Sequence, residues 1–188
     1  MENKKTIGWV VGGIVVAVVV VYLAVSGGLK LGGPGTEGYN GEQTDKGLVA
    51  APGASPVATS GQVVTAEGNP VKLNVEPMSP EAPQQSAPIT ESQVPTNAVK
   101  INISAQGFSP NTFTVKAGAS IALSVTSGDE QTHVFKFEDP SLSAVAVGIG
   151  PYETRLIPFN APGKGEYTFY CDVPGHKTRG EVGKMIVQ

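Results

Sequence analysis

Apolar and polar residues follow three different patterns along this chain. From Ile7 to Val25 no residue is charged, and apolar side chains cover every face a helix would have. Such a helix would rise 1.5 Å per residue, about 28 Å in all, close to the ~30 Å hydrocarbon core of a bilayer. Trp9 and Tyr22 stand near its ends, where amphipathic rings favour the interface. Lys4 and Lys5 precede it, which by the positive-inside rule puts the N-terminus in the cytoplasm and the remainder outside. These features predict a cytoplasmic tail at 1–6 and a single transmembrane anchor at 7–26. A cleaved signal peptide is the competing reading, with small residues at Ala24-Val25-Ser26. The apolar run is longer than the roughly 7–15 residues of a signal core. Both readings export the rest of the chain, to a periplasmic or extracellular location.

Residues 27–96 have no sustained period. They are rich in Gly, Pro, Ser, Ala, Thr and Gln, as in Gly32-Gly33-Pro34-Gly35 and Pro77-Met78-Ser79-Pro80. Too few apolar side chains are present to offset the entropy of ordering them, so the composition predicts a flexible linker. Val63-Val64-Thr65 and Val71 to Val75 flank Gly68-Asn69-Pro70 and could pair as a short hairpin, marginal on its own.

From Val99 the pattern changes to period two, with turn residues between short runs. The runs Val99–Ser104, Thr112–Lys116, Ile121–Thr126, His133–Phe137, Thr154–Phe159, Gly165–Tyr170 and Lys184–Val187 read as strands, with a weaker one at Ser143–Val147. No helical period competes with them. The prediction is an all-β domain at 97–188, an antiparallel sandwich or barrel. Pro158 interrupts its run and predicts an edge strand or a bend.

Charge and cysteine content narrow the function. The formal net charge is −3, and no basic patch appears, which excludes a nucleic-acid partner. Cys171 is the only cysteine, so no internal disulfide can form. In an exported protein a lone cysteine is a reactive thiol, an intermolecular bridge or a metal ligand. The only two histidines are His133, at the head of a predicted strand, and His176, five residues after Cys171. Taken singly, each residue fits a structural role: a buried thiol, a strand imidazole, a polar turn residue. Taken together, one thiolate and two imidazoles at one end of a sandwich make a metal site.

The sequence Gly107-Phe108-Ser109-Pro110, then Val115-Lys116-Ala117-Gly118, then His133, then Tyr170-Cys171-Asp172-Val173-Pro174-Gly175-His176 resembles the cupredoxin (plastocyanin/azurin-like) family. The resemblance covers roughly Val99 to Gln188. It implies a Greek-key β-sandwich and one mononuclear copper ion held by His133, Cys171 and His176. The two strand ligands would come from neighbouring strands and His176 from the loop between the last two. Pro174 and Gly175 would lie in a small apolar surface patch that serves as an electron port. Zinc can occupy the same donors.

The family's weak axial ligand is a methionine just before the last strand. Aligning Gly180 and Gly183 with the family's glycines puts Glu181 at that position, and Met185 falls in the final strand as a core residue. Two readings of Glu181 stand side by side. In one, the carboxylate faces solvent or pairs with Arg179 or Lys177. In the other it is the fourth metal ligand; a hard anionic oxygen then favours Cu(II), lowers the reduction potential and shifts the colour from blue toward green or red. The residue after the upstream histidine is Val134, where azurin-like members often have an asparagine that ties the ligand loops together. That tie is then weaker or built from Thr132 and Asp172.

The leading functional reading is a membrane-anchored, extracytoplasmic one-electron carrier with an unidentified redox protein as partner. The alternatives are a copper-binding or delivery protein without an electron-transfer role, and a small copper enzyme with an open coordination position. No further acid–base constellation supports the enzyme.

Overall fold

The structure is a computed structural model and describes residues 51–188. The segments predicted as cytoplasmic tail (1–6) and membrane anchor (7–26) lie outside the described residues, as does the linker up to residue 50. Among the described residues no helix is long and apolar enough to cross a membrane.

Nine strands form two sheets. They are β1 (Val99–Ser104), β2 (Gly107–Ser109), β3 (Thr112–Val115), β4 (Ser120–Ser127), β5 (His133–Phe137), β6 (Ala146–Ile149), β7 (Thr154–Asn160), β8 (Gly165–Cys171) and β9 (Val182–Val187). One sheet runs β2-β1-β4-β7 and the other β3-β9-β8-β5-β6. The expected antiparallel sandwich is corrected in one respect: β1 pairs with β4, and β3 with β9, in parallel. The chain crosses between the sheets before returning, and that reverses the direction in which it meets its neighbour.

Period-two patterning becomes alternate burial, cleanest in β5, where His133, Phe135 and Phe137 are buried and Val134 and Lys136 are not. All six phenylalanines of the chain are buried, and Phe169 lies at the centre of their cluster. Its ring centroid is 5.0 Å from those of Phe108 and Phe135 and 5.7 Å from that of Phe113. Such contacts add offset and edge-on attraction to the burial itself. The sheets are thereby held face to face at the end where the site lies.

Residues 51–96 correct the linker prediction. They lie against the sandwich and seal its open side, so the packed domain begins well before residue 97. Ser86 N–H donates to Leu156 O at 2.7 Å, Leu156 N–H donates to Ser86 Oγ at 2.9 Å, and Ile89 N–H donates to Thr154 O at 2.9 Å. These bonds cover the outer edge of β7. On the other sheet, Ala144 N–H donates to Leu73 O at 2.9 Å and Gly148 N–H to Gln85 Oε1 at 3.1 Å, beside β6. Ala51, Ile89 and Val94 also pack on Ala122 and Leu156, making a second, smaller apolar cluster outside the first sheet. Exposed strand edges invite pairing with other chains, and this segment covers two of them. Composition misled here because the segment is attached by backbone groups, scattered polar side chains and a few apolar contacts rather than by a periodic apolar face. The suggested hairpin is reduced to single bridges, Val57 with Val63 and Val64 with Pro70.

Pro158 lies on the edge strand β7, as predicted. Thr154 and Leu156 turn their backbone groups outward, to Ile89 and Ser86. Pro158 has the same parity, so its missing N–H falls on the outer side and removes nothing from the β4–β7 ladder.

Candidate metal centre

Four side chains converge at one end of the sandwich. His133 opens β5, Cys171 closes β8, His176 lies in the loop that follows, and Glu181 immediately precedes β9. The ladders fix this arrangement: Phe135 sits opposite Cys171 in the β5–β8 pair, and Tyr170 opposite Val182 in the β8–β9 pair. The intervening loop reverses through Gly175 (φ 86°) and Gly180 (φ 103°), a left-handed conformation that costs a β-carbon dearly. Gly180 ends the short 3-10 turn Lys177–Arg179 and turns Glu181 inward. Glu181 N–H then donates to His176 O at 3.3 Å, and Glu181 O accepts from Cys171 N–H at 3.1 Å.

One donor atom from each of the four residues lies within 4.8 Å of every other, and all four are buried. Glu181 Oε2 is 3.0 Å from His133 Nδ1 and 3.0 Å from His176 Nδ1. Cys171 Sγ is 3.8 Å from His133 Nδ1 and 3.5 Å from His176 Nδ1. The three residues expected from the sequence thus come together, and Glu181 joins them. Its carboxylate does not turn to solvent, being 0% exposed. It does pair with Arg179, through Oε1 at 2.7 Å, while Oε2 faces the imidazoles. The expected pairing with Arg179 is present, and the second carboxylate oxygen lies beside both imidazoles. Met185 is fully buried within β9, opposite Phe113 and Tyr167, and belongs to the core.

The surroundings set the protonation of the cluster. Burial pushes the Glu181 carboxyl up, but hydrogen bonds from Arg179, Cys171, His133 and His176 outweigh it and hold the group below its ordinary value. Burial pushes the Cys171 thiol up, and the neighbouring Glu181 adds to that, against backbone N–H groups of Val134 and Val173. A bound cation would reverse this shift, since a coordinating thiol is deprotonated.

Sequence reasoning missed Asp129. Its Oδ1 lies 3.0 Å from His133 Nε2. The carboxylate also accepts from Ala105 N–H at 2.7 Å and Gln131 N–H at 2.8 Å. Burial raises its pKa, and the bonds from Gln131, His133 and Ala105 bring it below the ordinary value. A metal on Nδ1 leaves the proton on Nε2, and Asp129 is the fixed acceptor for it. The only sequence signal was its place four residues before His133. Thr132 and Asp172, the expected loop ties, do not reach the histidines. Asp172 instead pairs with Lys136 at 3.3 Å, while its N–H donates to Val134 O at 2.9 Å. Val134 N–H donates to Cys171 Sγ at 3.3 Å, so the backbone of Val134 supplies part of what its side chain cannot.

The Cupredoxin-like domain family matches residues 66–187 of the chain. The chain belongs to this family. The match reaches back beyond residue 97, into the segment that seals the sandwich. Among solved structures, the chain is similar to sodium-dithionite-reduced auracyanin from the photosynthetic bacterium Roseiflexus castenholzii. Identity there is 23%, covering 50% of this chain and 98% of that one, with a TM-score of 0.43. It is also similar to auracyanin A, a "blue" copper protein of Chloroflexus aurantiacus, at 24% identity, 48% and 99% coverage and a TM-score of 0.39. Oxidised plastocyanin from Dryopteris crassirhizoma follows at 23% identity, 48% and 100% coverage and a TM-score of 0.38. It is the match over residues 66–187 that decides the family. Within this fold, a buried set of one thiol, two imidazoles and one carboxylate fits one copper ion.

Proposed function

We propose that the chain is a membrane-anchored, extracytoplasmic one-electron carrier whose single copper ion is held by His133, Cys171, His176 and Glu181. The observation that carries this reading is the convergence of four buried donors at the ends of paired strands. Bound there, copper would supply the one-electron chemistry of the Cu(I)/Cu(II) pair. The residues supply a donor set that need not rearrange between the two states. His133 and Cys171 are fixed by the β5–β8 ladder, and Asp129 holds the His133 ring by its far nitrogen. Glu181 adds a buried negative charge that favours the more highly charged cation.

His176 is the donor nearest the surface, 7% exposed against 0–1% for the other three. Its loop neighbours Pro174 and Gly175 are exposed. We assign this edge as the point where an electron enters or leaves, and where a redox protein docks. The anchor at 7–26 holds the domain to the membrane from the outside. Because residues 51–96 belong to the domain, the stretch between anchor and domain shortens from 27–96 to 27–50.

Voltammetry of the copper-loaded full chain tests the carrier. A reversible one-electron wave with fast exchange supports it. Retention of Cu(I), absence of a reversible wave and transfer of the ion to a metal-free acceptor would instead make this a delivery protein.

A further inference from the structure

Arg179 does more than neutralise a neighbour. Its Nη2 atom donates to Glu181 Oε1 at 2.7 Å and to Gln131 Oε1 at 3.0 Å. Gln131 lies in the loop that carries Asp129 and leads into His133; Glu181 lies at the end of the loop that carries His176. One guanidinium nitrogen therefore ties together the two loops that present the histidines. Neither the Val134 nor the Asp172 side chain makes that tie. The tie also divides the Glu181 carboxylate: Oε1 is taken by Arg179, and Oε2 alone faces His133 and His176 at 3.0 Å each.

We infer that Arg179 is a positioning residue that restricts Glu181 to a single oxygen at the metal and weakens it as a donor. The inference rests on the reading of Glu181 as a ligand. A free carboxylate can bind a cation through both oxygens. One engaged by a guanidinium shares its charge in a strong, directional hydrogen bond and has less to give. Removing Arg179 frees Oε1, makes Glu181 a better ligand for Cu(II) and adds a donor. Arg179 thus keeps the coordination number low and the potential higher than an unclamped carboxylate would allow. Gln131 makes the clamp directional, because it holds the guanidinium from the opposite loop.

A charge on its own would also raise the potential, so the test has to separate position from charge. The full chain is loaded with copper as wild type, R179A, E181Q and R179A/E181Q, and the potential and EPR spectrum of each are recorded. R179A is expected to raise the Cu(II)-over-Cu(I) affinity ratio about tenfold, read as a drop of about 59 mV, with altered EPR hyperfine coupling. In the E181Q background the same substitution is expected to change the ratio by less than about twofold, because the two residues act as one unit. An equal effect in both backgrounds overturns the inference, since Arg179 would then act as a remote charge. No effect of R179A where E181Q changes the spectrum overturns it also and leaves Glu181 a ligand. An E181Q spectrum identical to that of the wild type removes the ligand reading and the clamp together.

Discussion

Replacing Gly183 by alanine drives a methyl group into the most crowded glycine position among the described residues. Gly183 sits in β9 opposite Phe169. A β-carbon there would lie 2.3 Å from the Phe169 Cε2 and Cζ atoms and 2.5 Å from the Asn111 carbonyl oxygen, where ordinary contact begins at 3.4 Å. Each neighbour would have to retreat by about 1 Å in a close-packed interior. Phe169 has nowhere to go, being fully buried with the Phe108 and Phe135 centroids 5.0 Å away. The Asn111 carbonyl is held by Lys184 N–H at 2.8 Å. Overpacking costs about 1–3 kcal/mol where neighbours can adjust, and with two that cannot the expected loss is ~3 kcal/mol or more. At roughly 3 °C per kcal/mol for a unit of this size, the melting temperature falls by about 10 °C. Gly148→Ala is the control, since its added methyl meets nothing within 4 Å. Its cost should stay within about 0.5 kcal/mol. Thermal unfolding of the metal-free protein by circular dichroism reads both. Displacing β9 also disturbs Glu181, whose carbonyl holds Cys171 N–H at 3.1 Å, so Gly183→Ala should bind copper more weakly than the control. A Gly183→Ala protein melting within about 2 °C of Gly148→Ala would refute the packing argument.

Three other outcomes are expected. Ser86→Ala leaves the Leu156 N–H buried without an acceptor, and chemical denaturation should show a loss of about 1–3 kcal/mol. A fragment of residues 97–188 exposes the β6 and β7 edges, and light scattering should show it aggregating at concentrations where residues 51–188 stay monomeric. Stability of the metal-free protein should fall on both sides of neutrality. Glu181 and Asp129 have depressed folded pKa values, so their contribution is present above the ordinary 4.5 and 3.8 and is lost as pH falls through the lower folded values. The raised pKa of Cys171 stabilises below the ordinary 9.0, and that contribution is lost as pH rises through the folded value; Cys171→Ser should reduce the alkaline loss in a pH series of melting curves, leaving the part due to Tyr170 and Lys177.

The strands were legible because each buries alternate residues in one continuous core. His133–Phe137 was read with its observed bounds, and the Cys-to-His loop carried the family in its spacing. The weak strand at Ser143–Val147 shifts to Ala146–Ile149. Pro140 starts a short 3-10 turn that buries Leu142, and Ala144 and Val145 are buried in the irregular chain after it, which gives an apolar run without a strand. Gly107–Ser109 was missed as a strand because three residues show no alternation. The sealing segment 51–96 was hidden for a different reason: its bonds to the sheet edges come from backbone groups of Ser86, Ile89 and Leu73 and from scattered polar side chains such as Gln85, and neither leaves a periodic pattern. Asp129, Gln131 and Arg179 were hard to single out because their roles arise from loop conformation. Only the folded chain brings residues 129–131 against residues 176–181.

Whether Glu181 binds the metal decides what kind of copper site this is. The direct measurement is the optical and EPR spectrum of the copper-loaded full chain, wild type beside Glu181→Met, across the pH range in which a carboxylate titrates. A thiolate–copper spectrum in the wild type that is shifted away from blue, moves with pH and returns toward blue in Glu181→Met is the predicted result. Identical spectra for the two proteins at every pH would contradict it and leave copper with His133, Cys171 and His176 alone.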